Sequence, residues 1–294
     1  MRLAAIDIGS NAARLLIVEV KQKSSRTEFK KLNLVRIPLR LGFDVFTKGN
    51  IGREKRTMIL HMMRAFRALL DLYKVDAVKA YATSAMRNAS NSDSIVNEIK
   101  KKTAIKIEII TGGKEADLLY QIHAAEKIDK NNTYLYVNVG GGSTELSLFT
   151  KGKEPRELSF EIGTIRILKN TVKQTQWDDL KSELKELIKI NSPTAIIGTG
   201  GNINKIFSLS KLKDGNPLTY NVLQSYYLKL SQLTIAERIQ QFKLSDDRAD
   251  VVVPALDIYL SVMKWSKVNV MYVPKVGLVD GIIYSLYTAL KNKQ

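Results

Sequence analysis

The stretch YVNVGGGSTELSLF, residues 136–149, reads as an apolar strand, three consecutive glycines, Ser143-Thr144-Glu145 and a second apolar strand. A glycine run of this kind lets backbone N–H groups approach an anion, as phosphate-binding turns do. Three glycines exceed what a tight hairpin needs for positive φ. Asn138 stands out, because a phosphate site using a metal would place a carboxylate at the end of the first strand. The stretch therefore poses a choice between a phosphate-transfer site and one that only binds.

Working outward, one other stretch shares the plan. AAIDIGSNAARLLIVEV and LYVNVGGGSTELSLFT each run strand, glycine-containing turn with a hydroxyl residue, return strand, about 131 residues apart. Gly9-Ser10-Asn11 is the first turn, and its flanks read as a hairpin. Two copies at that distance suggest two related domains, each presenting a turn to one ligand across a cleft. The polar stretch EKIDKNNT marks the boundary, giving domains at 1–122 and 123–294, with the last helix free to pack back on the first.

The intervening segments mix strands and helices, which implies an α/β protein. A third strand lies in KLNLVRIPLRLG. Ile59, Met62, Met63, Phe66, Leu69, Leu70 and Tyr73 recur at helical spacing, so residues 53–73 form an amphipathic helix. DAVKAYAT and IKIEIIT read as strands, and KEADLLYQIHAAEKI as a helix opening just after Gly112-Gly113. Helices are expected at 164–172 and 177–190. TAIIGTGGNINKIF repeats the strand, glycine turn, helix order, and Ser245 is a candidate N-cap.

Composition narrows the chemistry. The chain has 294 residues, no cysteine and two histidines, His61 and His123, so disulfides, thiol catalysis and multi-histidine zinc sites drop out. Asp7 arrives too early for a secretory apolar region, and no apolar run reaches membrane-spanning length; a cytoplasmic protein with no membrane partner is expected. Net charge is +17. Residues 1–122 hold 23 Lys+Arg against 12 Asp+Glu (+11), and residues 123–294 hold 23 against 17 (+6). Such a field favours polyanions without choosing among them.

AAIDIGSNAARLLI, YATSAMRNASN, IEIITGGKEADLLY, VNVGGGSTEL and IIGTGGNINKI occur together, in an order and spacing that resemble the Ppx/GppA phosphatases. These are exopolyphosphatases and guanosine pentaphosphate phosphohydrolases. The resemblance covers essentially the whole chain in the short, two-domain form. It implies an α/β, actin-like ATPase (ribonuclease H-like) fold with two related domains facing across a cleft. It implies a phosphate cradle at Gly9, Ser10, Asn11 and at Gly140, Gly141, Gly142, Ser143 and Thr144. Arg87 would contact the substrate phosphate, where a guanidinium offers planar, bidentate contact. Glu115 would be the general base on the attacking water. Lys114 and Asp117 stand where family members often carry Glu and Arg, and neither change removes the base. Asp7, Asn138 and Glu145 match the positions holding Mg²⁺, or another divalent cation, with Asn138 in place of the usual aspartate. Gly200, Gly201 and Asn202 would line the cleft.

The leading expectation is Mg²⁺-dependent removal of terminal phosphate from polyphosphate. The alternatives are conversion of guanosine pentaphosphate to tetraphosphate, and a weakly active or non-catalytic sensor of such ligands. An actin-like kinase is disfavoured, because no sugar pocket can be identified. No specific nucleic acid is expected as partner, and a homodimer is left open.

Overall fold

The computed structural model describes residues 1–23, 26–125, 132–274 and 276–292. The chain divides into two compact units, Met1–Lys127 with Val276–Gln294, and Ile128–Lys275. The sequence placed the division after residue 122; the first unit runs to Lys127 and takes up the terminal helix. Residues 126–131, within the polar stretch read as the boundary, lie outside the described residues.

In the first unit, β1 (Arg2–Ile8), β2 (Ala12–Lys23) and β3 (Arg26–Pro38) form an antiparallel meander. Next come α1 (Leu41–Lys48), α2 (Arg53–Leu72), β4 (Ala77–Ala82), α3 (Ser84–Asn88), α4 (Ser92–Thr103), β5 (Ile107–Ile109) and α5 (Gly112–Ala125). The sheet order is β3-β2-β1-β4-β5, with β1, β4 and β5 parallel. Leu3 to Ile8 are all buried, so both faces of the central strand are covered. That is why LAAIDI reads as a continuous apolar run rather than an alternation.

The second unit begins with another meander, β6 (Tyr134–Val139), β7 (Thr144–Phe149) and β8 (Arg156–Phe160). It continues through α6 (Thr164–Leu168), α7 (Gln174–Ile188), β9 (Ala195–Thr199), α8 (Gly201–Ser210), β10 (Leu218–Thr219) and α9 (Tyr220–Ser231). α10 (Ile235–Phe242), α11 (Asp246–Ala249), α12 (Val252–Ser266) and β11 (Val270–Tyr272) complete it. The sheet order is β10-β11-β9-β6-β7-β8. Apart from the short β10 at one edge, this is the first unit's plan: an antiparallel meander whose first strand continues into parallel neighbours. The echo between the two glycine turns is thus an echo of whole topologies. The last helix, α13 (Leu278–Lys291), packs Val279, Ile282 and Ile283 on Leu3, Ala5, Leu16 and Val18 of the first sheet.

Three local expectations need correction. The third strand ends at Pro38, and Leu41-Gly42 open α1 instead of extending the strand. Pro38 has no N–H for the ladder, and Arg40 turns the chain with φ 54°. The helix expected at 164–172 stops at Leu168. Ser245 does precede a helix, but that helix ends at Ala249, and the Ser245 hydroxyl donates to Asp247 Oδ1 at 2.8 Å and accepts no backbone N–H as a cap.

Candidate functional site

In the first unit the candidate residues collect along one edge of the sheet. Ile8, Ala82 and Ile109 stand in one row across the parallel strands, so β1, β4 and β5 end level. The row is carried one step further by Thr83 N–H to Ile8 O at 3.1 Å and Ile110 N–H to Ala82 O at 3.0 Å. Beyond that row lie the Gly9–Asn11 turn, α3 with Arg87 and the first turn of α5 with Glu115. The carboxyl ends of parallel strands are where α/β sheets bind ligands, since loops and helix N-termini converge there.

Each group is held by a specific bond. Gly9 N–H donates to Ala12 O at 3.2 Å, closing the turn, and a Cβ on Gly9 would lie 3.1 Å from that oxygen. Arg87 Nη1 donates to Ile110 O at 2.6 Å, fixing the guanidinium beside the segment that leads into α5. Thr111 starts that helix: its Oγ1 accepts Lys114 N–H at 3.2 Å and its carbonyl accepts Glu115 N–H at 3.1 Å. Glu115 is buried, at 9% exposure, on the first turn, where the helix dipole favours an anion.

The second unit repeats the arrangement. β6 and β9 are level at Asn138↔Thr199, with the Gly140–Ser143 turn and α8 beyond them. Gly140 N–H donates to Ser143 O at 2.9 Å, the counterpart of the Gly9 bond. Gly200, at φ 125°, lies close under β6: a Cβ there would meet Val139 O at 3.0 Å and Asn138 Oδ1 at 3.7 Å. Gly200 therefore belongs to the same corner as Asn138, and Gly201 and Asn202 open α8 beside it. Tyr259, fully buried on α12, closes the corner from below by donating its hydroxyl to Thr199 O.

The hydroxyls of the GGGST turn are committed inward. Thr144 is completely buried and donates to Ile162 O at 2.6 Å, and Ser143 Oγ donates to Glu145 Oε1. What this turn offers an anion is its backbone.

The candidate metal residues are also answered within their own units. Asp7 faces Arg14 across the β1–β2 ladder, with Nη1 to Oδ2 at 2.9 Å. Burial pushes the Asp7 carboxyl up from its ordinary value, and the Arg14 guanidinium pulls it the other way. Asn138 faces Glu145 across the β6–β7 ladder; its Nδ2 donates to Glu145 Oε2 at 3.1 Å, and its Oδ1 accepts the Thr199 hydroxyl at 3.2 Å. A carboxylate only accepts, so the Asn138 amide nitrogen must face Glu145. Among the described residues no group of three or more His, Asp or Glu side chains forms a metal-ligating cluster. Every candidate donor here already accepts a hydrogen bond or holds a cation. Within each unit these bonds satisfy the candidate residues without a cation.

Sequence reasoning missed four participants: Arg14, Gly163, Arg166 and Thr199. Arg14 had a signal. It follows Asp7 by seven residues, as Glu145 follows Asn138, and both pairs are cross-strand neighbours. Each hairpin thus joins one carboxylate to one donor, with the order reversed. Gly163 and Arg166 buttress the glycine turn from a segment more than twenty residues away and had no local signal.

The Ppx/GppA phosphatase family matches residues 16–290 of the chain. The chain is 30% identical over 259 residues to the bifunctional 3-dehydroquinate synthase/phosphatase of Fusobacterium nucleatum, which covers 80% of this chain and 37% of that protein. It is 23% identical over 306 residues to exopolyphosphatase 1 of Mycobacterium tuberculosis, covering 96% of this chain and 87% of that one. Among solved structures, an exopolyphosphatase from Cytophaga hutchinsonii superposes with a TM-score of 0.84 at 26% identity, over 99% of this chain and 98% of that one. The Aquifex aeolicus Ppx/GppA family member shares the fold with a TM-score of 0.78 at 24% identity, over 100% and 99%.

Proposed function

The chain belongs to the Ppx/GppA phosphatase family, and on that premise we propose that it hydrolyses the terminal phosphoanhydride bond of inorganic polyphosphate. The observation that carries this reading is the pairing, on one strand edge, of a buried carboxylate and an anchored guanidinium. Glu115 sits at the start of α5, and Arg87 is bonded to Ile110 O just before that helix. Hydrolysis needs such a pair: a base for water and a cation for the phosphate it attacks.

In this reading water attacks the terminal phosphorus, and the bond from phosphorus to the bridging oxygen breaks. Glu115 takes the water proton, and orthophosphate and a chain shorter by one phosphate leave. Arg87 spends Nη1 on Ile110 and directs further N–H donors at phosphate oxygens. Within each unit taken by itself, the glycine turn carries backbone N–H groups of the kind that meet anionic oxygens. The +17 charge suits a long anionic substrate.

A second reading has its own support. The Asn138–Glu145–Thr199 network is complete without a cation, which suits a protein that binds polyphosphate or guanosine phosphates and turns them over slowly or not at all. Phosphate release from long-chain polyphosphate and from guanosine pentaphosphate, each with and without Mg²⁺, separates the possibilities. Release from polyphosphate is the expected result. Release from the nucleotide alone would overturn the substrate assignment, and tight binding with no release over hours would select the sensor.

A further inference from the structure

The glycine turn of the second unit is buttressed from behind, and the bonds that do so dictate where its amides point. Thr164 N–H donates to Gly140 O at 3.0 Å, and Ile165 N–H to Gly141 O at 2.8 Å. Arg166 Nε donates to Gly142 O at 2.8 Å. Three successive carbonyls are thereby drawn toward one segment. The structure contains no cis peptide bond among its described residues. In a trans peptide the N–H of the next residue points opposite to the carbonyl. The N–H groups of Gly141, Gly142 and Ser143 therefore point together, away from Gly163–Arg166. None of the three makes a hydrogen bond among the described residues. Converging N–H groups of this kind form a concavity for an anion.

The first unit builds the same device by other means. Ser10 O accepts Gly42 N–H at 2.9 Å, and Asn11 O accepts Arg40 N–H at 2.8 Å and Leu39 N–H at 3.1 Å. There, backbone following β3 holds the turn; in the second unit, backbone following β8 holds it. The units differ at the last carbonyl. Asn11 O is held by main chain, whereas its counterpart Gly142 O is held by the Arg166 side chain. That side chain is 12% exposed and is steadied at its far end by Glu161, Nη2 to Oε1 at 2.9 Å.

We propose that Arg166 is a positioning residue: it does not touch phosphate, but turns the Gly142–Ser143 peptide so that the Ser143 amide joins those of Gly141 and Gly142 in binding it. The proposal rests on the phosphate-binding reading given above. It explains why a partly buried guanidinium is directed at a backbone carbonyl of the loop instead of at the ligand, and it locates a point where one side chain sets anion affinity.

The test uses the full chain labelled with ¹⁵N-glycine and titrated with inorganic tripolyphosphate without added metal, with affinity measured by calorimetry. In the wild-type protein the Gly141 and Gly142 amide resonances should move on saturation. Arg166→Met keeps the aliphatic stem and removes the donors. It should weaken tripolyphosphate binding roughly tenfold, the worth of one strong hydrogen bond, and reduce the Gly142 shift. Glu161→Gln breaks only the outer ion pair and should bind within about twofold of wild type, as expected for an exposed pair. Wild-type affinity and glycine shifts in Arg166→Met would overturn the proposal, as would an equal loss in Glu161→Gln. If Arg166→Met does not fold, Arg166→Lys serves: its single ammonium cannot reach both Gly142 O and Glu161 in the guanidinium geometry, and wild-type affinity there would overturn the proposal equally. A wild-type protein that binds tripolyphosphate with these shifts yet releases no phosphate would sink hydrolysis and leave the role of Arg166 standing. One that does not bind tripolyphosphate would sink both.

Discussion

Glu115 is where the hydrolytic reading is most exposed to test. Glu115→Gln keeps size and hydrogen-bonding shape while removing the ability to take a proton. It should lower the rate of phosphate release by about 10²–10⁴-fold and leave tripolyphosphate affinity close to wild type. A variant that hydrolyses at the wild-type rate would show that another group activates water. Asn138 gives a second test. Asn138→Asp would replace the amide donor 3.1 Å from Glu145 Oε2 with a second carboxylate. Loss of that bond next to a buried acid should cost about 1–3 kcal/mol, read as a lower melting temperature in EDTA. Two adjacent carboxylates then form a cation site, so Mg²⁺ should recover part of the loss in the variant and do little for wild type. An unchanged melting temperature in EDTA would mean that the Asn138–Glu145 bond carries no stability.

At the scale of elements, the decisive contact is α6 against the glycine turn. A Cβ on Gly163 would lie 2.5 Å from both the nitrogen and the carbonyl carbon of Gly142 and 2.6 Å from the carbonyl carbon of Gly141. These are backbone atoms and cannot step aside without undoing the carbonyl bonds just described. Gly163 has φ −141°, so the constraint is one of space alone. Gly198 on β9 is a useful contrast: its Cβ would also meet an atom at 2.5 Å, but that atom is Met271 Sδ, on a flexible side chain. Gly163→Ala should therefore cost about 1–3 kcal/mol or more, as overpacking against fixed atoms does, and Gly198→Ala clearly less. Urea unfolding of both variants decides it. Equal losses would mean that the α6 segment yields as readily as a methionine.

For the whole molecule, net charge makes the prediction. With 46 Lys+Arg against 29 Asp+Glu, a long polyanion binding this surface displaces many counterions. Affinity for long-chain polyphosphate should fall steeply between low and moderate salt, and affinity for tripolyphosphate should fall much less, because fewer cations are engaged. Parallel slopes for the two ligands would confine recognition to a compact site and weaken the case for a long-chain substrate.

Much of this protein could be read from short windows of sequence. The apolar run before each glycine turn, the helical spacing of Ile59, Met63, Phe66 and Leu70, and the 131-residue echo are local signals, and the corresponding strands, helix and repeated topology are present. The meeting of Asn138 with Glu145 was legible too, because a tight antiparallel turn brings residues seven apart face to face. The docking of Gly163–Arg166 behind the turn and the closure of Thr199 by Tyr259 sixty residues away were decided only by tertiary structure. The reason is physical. A strand or helix is specified by its own periodicity and backbone bonds, which a window of ten residues contains. A turn's leftover carbonyls are satisfied by whichever distant segment packing brings within 3 Å, and nothing in the turn's own sequence names that segment.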